Sequence, residues 1–154
     1  GSPSMNFLPG RLGSAGIETA IGTISLDDHQ QVVSRAGDVG SNGDVLVGIR
    51  PEHLEDAALL DATTRARGGT FNATIDVLES MGSDTYAYFS VDSERASSDA
   101  LTELSADSGA DFGGGQMIAR LSPESRVSRG STAELFFDTA KVAVFDQSSG
   151  ANLR

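Results

Sequence analysis

Residues 70–77 alternate without a break: Phe71, Ala73, Ile75 and Val77 are apolar, while Thr70, Asn72, Thr74 and Asp76 are polar. A period of two is the repeat of an extended strand with one buried face, because successive side chains point to opposite sides of the backbone. A helix would scatter the same four apolar residues around its axis. The pattern therefore predicts a strand with Phe71, Ala73, Ile75 and Val77 buried and the intervening residues largely exposed. Gly82-Ser83-Asp84 supplies turn chemistry just beyond it. A second alternating run follows at 85–91, with Ala87, Phe89 and Val91 on one face and Tyr86 and Tyr88 on the other. The two runs predict a β-hairpin.

The rest of the chain reads in the same way. Strand-like segments lie at 7–12, 16–26, 30–34, 44–48, 117–121, 132–137 and 141–145, separated by turns such as Gly40-Ser41-Asn42-Gly43 and Ser148-Ser149-Gly150. Many short strands at this spacing point to an all-β barrel or sandwich. Only residues 54–67, following Pro51, have the loose periodicity of a short helix. Residues 92–115 differ in kind, being rich in Ser, Asp, Ala and Gly, with six acids against one base. With few large apolar groups to offset its ordering entropy, this stretch is expected to be a mobile acidic insertion within one domain spanning residues 1–154.

Several functions are excluded by what the 154 residues contain. The net charge is −11, Lys141 is the only lysine and the arginines are scattered. Clustered cations that would release counterions from a nucleic acid are absent, so no nucleic-acid partner is expected. There is no cysteine, which removes disulfides, thiol nucleophiles and cysteine–zinc sites. A phosphate-cradling loop needs a glycine-rich turn ahead of Lys-Ser/Thr, and Lys141 sits in Ala140-Lys141-Val142. Gly113-Gly114-Gly115-Gln116 is read as a flexible loop end. His53 stands among Glu52, Glu55 and Asp56, but no second histidine lies at ligand spacing, and both His29 and His53 are read as solvated or structural. No catalytic, cofactor-binding or metal-ligating residues are assigned. No apolar run approaches the ~20 residues needed to cross a bilayer, and the start of the sequence lacks the basic and apolar regions of a secretory leader.

Two stretches stand out. In Arg50-Pro51-Glu52-His53, Pro51 ends a strand and fixes a corner between opposite charges. The second is the turn Gly82-Ser83-Asp84-Thr85. With their neighbours they resemble a known family. Gly48-Ile49-Arg50-Pro51-Glu52-His53-Leu54 and Glu79-Ser80-Met81-Gly82-Ser83-Asp84-Thr85 are similar to two motifs of the C-terminal regulatory (TOBE/OB-type) domain of maltose-importer-type ATPase subunits. The start, Gly1 to Leu8, resembles the junction with the ATPase domain, and 129–138 and 144–146 resemble the closing strands. The departures are Met81, where leucine is usual, and the length of 92–115.

The resemblance implies an OB-type barrel with an attached small β subdomain. It implies no cofactor in this segment, with ATP and Mg held by an ATPase domain elsewhere in the parent subunit. The implied partners are a second copy of the subunit, membrane-spanning importer subunits and, in some relatives, a regulatory protein, all at the cytoplasmic face of the membrane. On this reading Arg50, Pro51, Glu52, His53, Gly82, Ser83, Asp84 and Thr85 lie at or near an interface. The competing reading is an oxyanion-binding (molybdate-type) TOBE module, although the Ser-Ala-Arg-Asn motif of such domains is missing and the charge is adverse. A small hydrolase lacks a visible nucleophile–base pair.

Overall fold

The alternation becomes a long strand within one of two antiparallel sheets in the computed structural model, which describes residues 4–91 and 116–154. The first sheet contains β1 (Asn6–Leu12), β2 (Ile17–Thr19), β3 (Gly22–Ile24), β4 (Asp44–Ile49) and β10 (Ala143–Asp146), in the order β10-β4-β1-β2-β3. The second contains β5 (Leu54–Asp56), β6 (Gly68–Ser80), β7 (Thr85–Ser90), β8 (Met117–Leu121) and β9 (Thr132–Asp138), in the order β5-β9-β6-β7-β8. Its edge strands β5 and β8 approach each other, so this sheet curls into a nearly closed barrel. The all-β expectation, a barrel with a smaller attached β unit, is borne out. The expected insertion at 92–115 lies outside the described residues, as does the glycine run that ends it.

Apolar side chains from both sheets form one continuous core, including Ile17, Ile24, Val45, Val47 and Ile49 from the first and Phe89, Leu121 and Leu135 from the second. Within β6 and β7, Phe71, Ala73, Ile75, Ala87 and Phe89 are buried as their alternation requires. Val77 is not: it is 40% exposed. Ile75 pairs with Phe89 but Val77 pairs with Tyr88, so an extra residue is accommodated near Asp76. Such a bulge reverses the phase of the strand and turns Val77 outward.

Two other expectations need correction. Residues 30–34 are not a strand but part of helix α1 (His29–Asp38), which buries Val32 and Ala36, one turn apart. Its C-terminus is closed by the Ser41 amide donating to the Ala36 carbonyl at 2.9 Å and the Gly40 amide to the Gly37 carbonyl at 3.1 Å. This is the Schellman arrangement, which places Gly40 at φ 74°, a conformation glycine adopts without a Cβ penalty. The Arg154 guanidinium fixes the other end, donating to both Asp28 carboxylate oxygens at 3.1 Å and to the Thr139 and Val142 carbonyls at 2.6 Å. Residues 16–26 are a hairpin, β2 and β3, and not one strand. The short helix expected within residues 54–67 is α2 (Ala62–Arg65), which follows β5 and a 3₁₀ turn, although α1 shows that this stretch is not the only helical one. The run is broken because Asp56 caps the Ala58 amide and Asp61 separately caps that of Thr64.

The two sheets are joined by a buried amide. Asn6 donates to the carbonyls of Ile49 at 3.0 Å and Ile118 at 2.9 Å, and accepts from the Ile118 amide at 2.8 Å. Asn6→Ala would strand these groups, and each unsatisfied buried group costs about 1–3 kcal/mol. The expected outcome is destabilisation by about 2–4 kcal/mol, read from urea unfolding; a loss within error of zero would contradict this role.

Asp146, also buried, accepts from the Ser149 hydroxyl at 2.7 Å and the Ser149 amide at 2.8 Å. The Ser149 hydroxyl bond, aided by the amide and opposed by burial, holds its carboxyl below the usual carboxylate range. Because the folded pKa is depressed, the associated stability is present above that range and is lost as pH falls through the lowered value. Asp146→Asn is expected to flatten the acid limb of stability below about pH 4 in denaturation series.

Candidate functional site

The corner begins where β4 ends. Arg50 is extended, at φ −74° and ψ 146°, and Pro51 opens the 3₁₀ turn Pro51–His53. Proline suits that position because its φ is already set and its missing amide has no helical partner to lose. The turn is closed by the His53 amide donating to the Arg50 carbonyl at 2.9 Å. Pro51 is buried, and Arg50 and Glu52 are exposed. Among the described residues the Arg50 guanidinium has no hydrogen-bond or ion-pair partner. His53 is half-buried, with its Nδ1 buried and lacking a hydrogen bond among the described residues.

The hairpin turn lies on the other side of β8. Gly82 takes φ 86°, and the Met81 amide donates to the Asp84 carbonyl at 2.8 Å. Ser83 is exposed, while Asp84 and Thr85 are half-buried. Thr85 pairs with Leu121 and Tyr86 with Arg120, so the turn stands over the end of β8. The 3₁₀ turn Pro51–His53 also packs against β8.

Arg120 is where the two pieces meet. Its guanidinium pairs with the Asp84 carboxylate at 2.9 Å. That bonded opposite charge holds the guanidinium above its ordinary pKa, and the nearby Glu52 adds to the same field. The structure thus brings residues 50–53 and 82–85 together around a residue that sequence reasoning missed. The inward positions Met117, Ala119 and Leu121 show that Arg120 points outward. Nothing in the sequence shows that it arrives between the two motifs.

The acids beside His53 have structural employment. Glu55 accepts from the Ser122 amide at 3.1 and 3.2 Å, and Asp56 accepts from the Ser125 hydroxyl at 2.7 Å. His29 is also structural, with Nε2 donating to the Gly13 carbonyl at 2.6 Å. Among the described residues no group of three or more His, Cys, Asp or Glu is placed to hold a metal ion. A groove of about 300 Å³ runs between β3 and the start of β6, with Asp27, Arg67, Ser25 and Thr139 in its walls. Its one cation shares the site with a carboxylate, a poor arrangement for an oxyanion. What the corner, turn and Arg120 offer is a rigid, charge-balanced surface.

Arg120→Ala is expected to leave the fold intact while speeding amide exchange at Met81 and across 82–85, since Arg120 is surface-exposed. Arg120→Lys should restore part of the protection through its charge alone. Unchanged exchange in the alanine variant would remove Arg120 as the link.

Comparison with known proteins places this geometry in context. The family model for the MalK OB fold domain matches residues 1–54, and that for the TOBE domain matches residues 47–112. The trehalose import ATP-binding protein SugC of Mycobacterium tuberculosis is 44% identical over 154 residues, covering 99% of this chain and 39% of that protein. The trehalose/maltose import ATP-binding protein MalK of Thermococcus litoralis is 29% identical over 154 residues, covering 97% of this chain and 34% of that protein. The chain therefore spans well under half the length of these relatives. Among solved structures, the cytoplasmic molybdate-binding protein ModG aligns with a TM-score of 0.54 at 10% identity, covering 90% of this chain and 94% of ModG. That likeness concerns the fold alone. The matched domains and the SugC and MalK relatives show that this chain belongs to the OB-fold and TOBE domain family of sugar-import ATP-binding proteins.

Proposed function

We propose that this chain is the non-catalytic regulatory and dimerisation domain of the ATP-hydrolysing subunit of a carbohydrate importer. The observation that carries the reading is the alignment of SugC, a trehalose import ATP-binding protein, with 99% of the chain at 44% identity. The two domain models match successive parts of the same chain. The absence of a phosphate loop from these 154 residues fits a non-catalytic role for this segment. ATP and Mg would bind in an ATPase domain of the parent subunit. The parent would work at the cytoplasmic face of the membrane, with membrane-spanning subunits and a second copy of itself. A regulatory protein is a further partner on this reading. Trehalose is the first solute to test, because it appears in the names of both relatives above.

The physical advantage is effective concentration. Two ATPase halves tethered through a persistent contact meet at roughly millimolar local concentration even when their nucleotide sites open. The tethering domain need not form a tight dimer alone, because other contacts in the complex share the association cost. The corner at Arg50, Pro51, Glu52 and His53 and the turn at Gly82, Ser83, Asp84 and Thr85 are proposed to border that contact. Their shared approach to Arg120 supports treating them as one surface.

The test compares the full-length subunit with and without this domain, reconstituted with its membrane partners. Subunit pairing between ATP cycles, or regulation of trehalose uptake, is expected to fail on deletion, while the purified domain binds no ATP. Pairing, uptake and regulation that survive deletion unchanged would overturn the proposal.

A further inference from the structure

The groove between β3 and the start of β6 holds two charged groups that the fold leaves unused. Asp27 is on the wall that leads into α1 and Arg67 on the wall that leads into β6, and both are exposed. Among the described residues neither charged end has a hydrogen-bond or ion-pair partner, and the two do not close on each other. Arg67 acts on Asp61 through its field alone. The walls are fixed without them. Arg154 bonds Asp28, next to Asp27, and the Thr139 carbonyl on the opposite side. Thr139 in turn donates to the Arg67 carbonyl, through its hydroxyl at 2.9 Å and its amide at 3.3 Å. Ile24 and Phe137, both buried, give the groove an apolar floor. Its volume of about 300 Å³ is at the lower end of the range for small-molecule sites. Walls already held in place spare a ligand the cost of ordering them.

The polar lining selects the ligand. Ser25 has committed its proton to the Ala15 carbonyl at 3.4 Å, and Thr139 its own to the Arg67 carbonyl. Both hydroxyls are left with acceptor lone pairs. With the Asp27 carboxylate, acceptors outnumber the one donor group, the Arg67 guanidinium, while Thr23 can serve as either. A simple oxyanion brings only acceptors and meets Asp27. A polyamine brings donors and meets Arg67. A zwitterion matches the two charges, but its carboxylate brings no proton to the hydroxyl acceptors. A polyol matches the whole lining, because each of its hydroxyls both donates and accepts. Carboxylate and guanidinium can each bridge two adjacent hydroxyls, and bonds to charged groups are the strong ones. A neutral ligand also enters without repulsion from the chain's net charge of −11.

We infer that this groove binds a neutral polyhydroxylated ligand of mono- or disaccharide size, held between the Asp27 carboxylate and the Arg67 guanidinium. The site lies between the two sheets: Thr23 belongs to β3 of the first, and Arg67 leads into β6 of the second. A sugar bound there bridges them. Its regulatory role, unlike the binding itself, rests on the importer reading above. On that reading the ligand is the imported sugar, which acts through this groove on the subunit that drives its own uptake.

The test is calorimetry of the full-length subunit titrated separately with trehalose, maltose, sodium molybdate and glycine. Saturable heat is expected with at least one of the two sugars and with neither of the other probes. Asp27→Ala and Arg67→Ala, both at exposed positions, are each expected to weaken sugar binding about tenfold with the circular dichroism unchanged. Amide exchange should slow on sugar binding at 23–27 and 66–69 and stay the same at 82–85. No saturable heat with either sugar, or heat that both variants leave unchanged, overturns the site. Molybdate binding that Arg67→Ala removes would make the groove an anion site and overturns the inference equally. If the site falls while deletion of the domain still abolishes pairing or regulation, the functional reading stands. If the sugar binds here and deletion changes nothing, the site stands and that reading falls.

Discussion

The side chain of Asn6 ties the two sheets of this protein together. Residue 6 opens β1 in the first sheet, yet its amide bonds both backbone groups of Ile118, on an edge strand of the barrel. A barrel that is only nearly closed leaves edge groups in need of partners. Asn6 supplies them to β8, and Glu55 accepts from the Ser122 amide just beyond the strand. The same Asn6 holds the Ile49 carbonyl, immediately before Arg50. One amide therefore fixes the end of β4, where the corner starts, relative to β8, where Arg120 sits.

That constraint explains how separate sequence motifs become one surface. Residues 50–53 follow the first sheet and 82–85 belong to the barrel hairpin. They meet at β8, against which the 3₁₀ turn of the corner packs and over whose end the hairpin turn is set by the register with β7. The Asp84–Arg120 pair is exposed, and exposed pairs contribute little stability. Its consequence is geometric: it fixes the turn over β8.

Much of the fold was legible in the sequence because period-two alternation is a strong signal where one face is buried. Phe71, Ala73, Ile75, Ala87 and Phe89 follow it. The misses have identifiable causes. Val77 continued the written pattern, but a bulge costs no visible residue and reverses the phase. In α1 only Val32 and Ala36 face inward, and the Val32-Val33 pair favours strand by propensity. The legible clue was Gly40, a glycine that suits the close of a helix as well as a turn between strands. The two site motifs were recognised from the sequence, whereas Arg120 was not, because its place depends on pairing across β7 and β8.

We propose that the corner at residues 50–53 and the turn at 82–85, gathered on β8, border the contact between copies of the subunit. Hydrogen–deuterium exchange on the full-length subunit, at concentrations above and below its dissociation constant, tests it most directly. The account predicts protection gained on pairing at residues 50–53, 82–85 and 117–121, with α1 unchanged. Protection confined to α1, or no concentration-dependent protection in this domain while the subunit pairs, would contradict it.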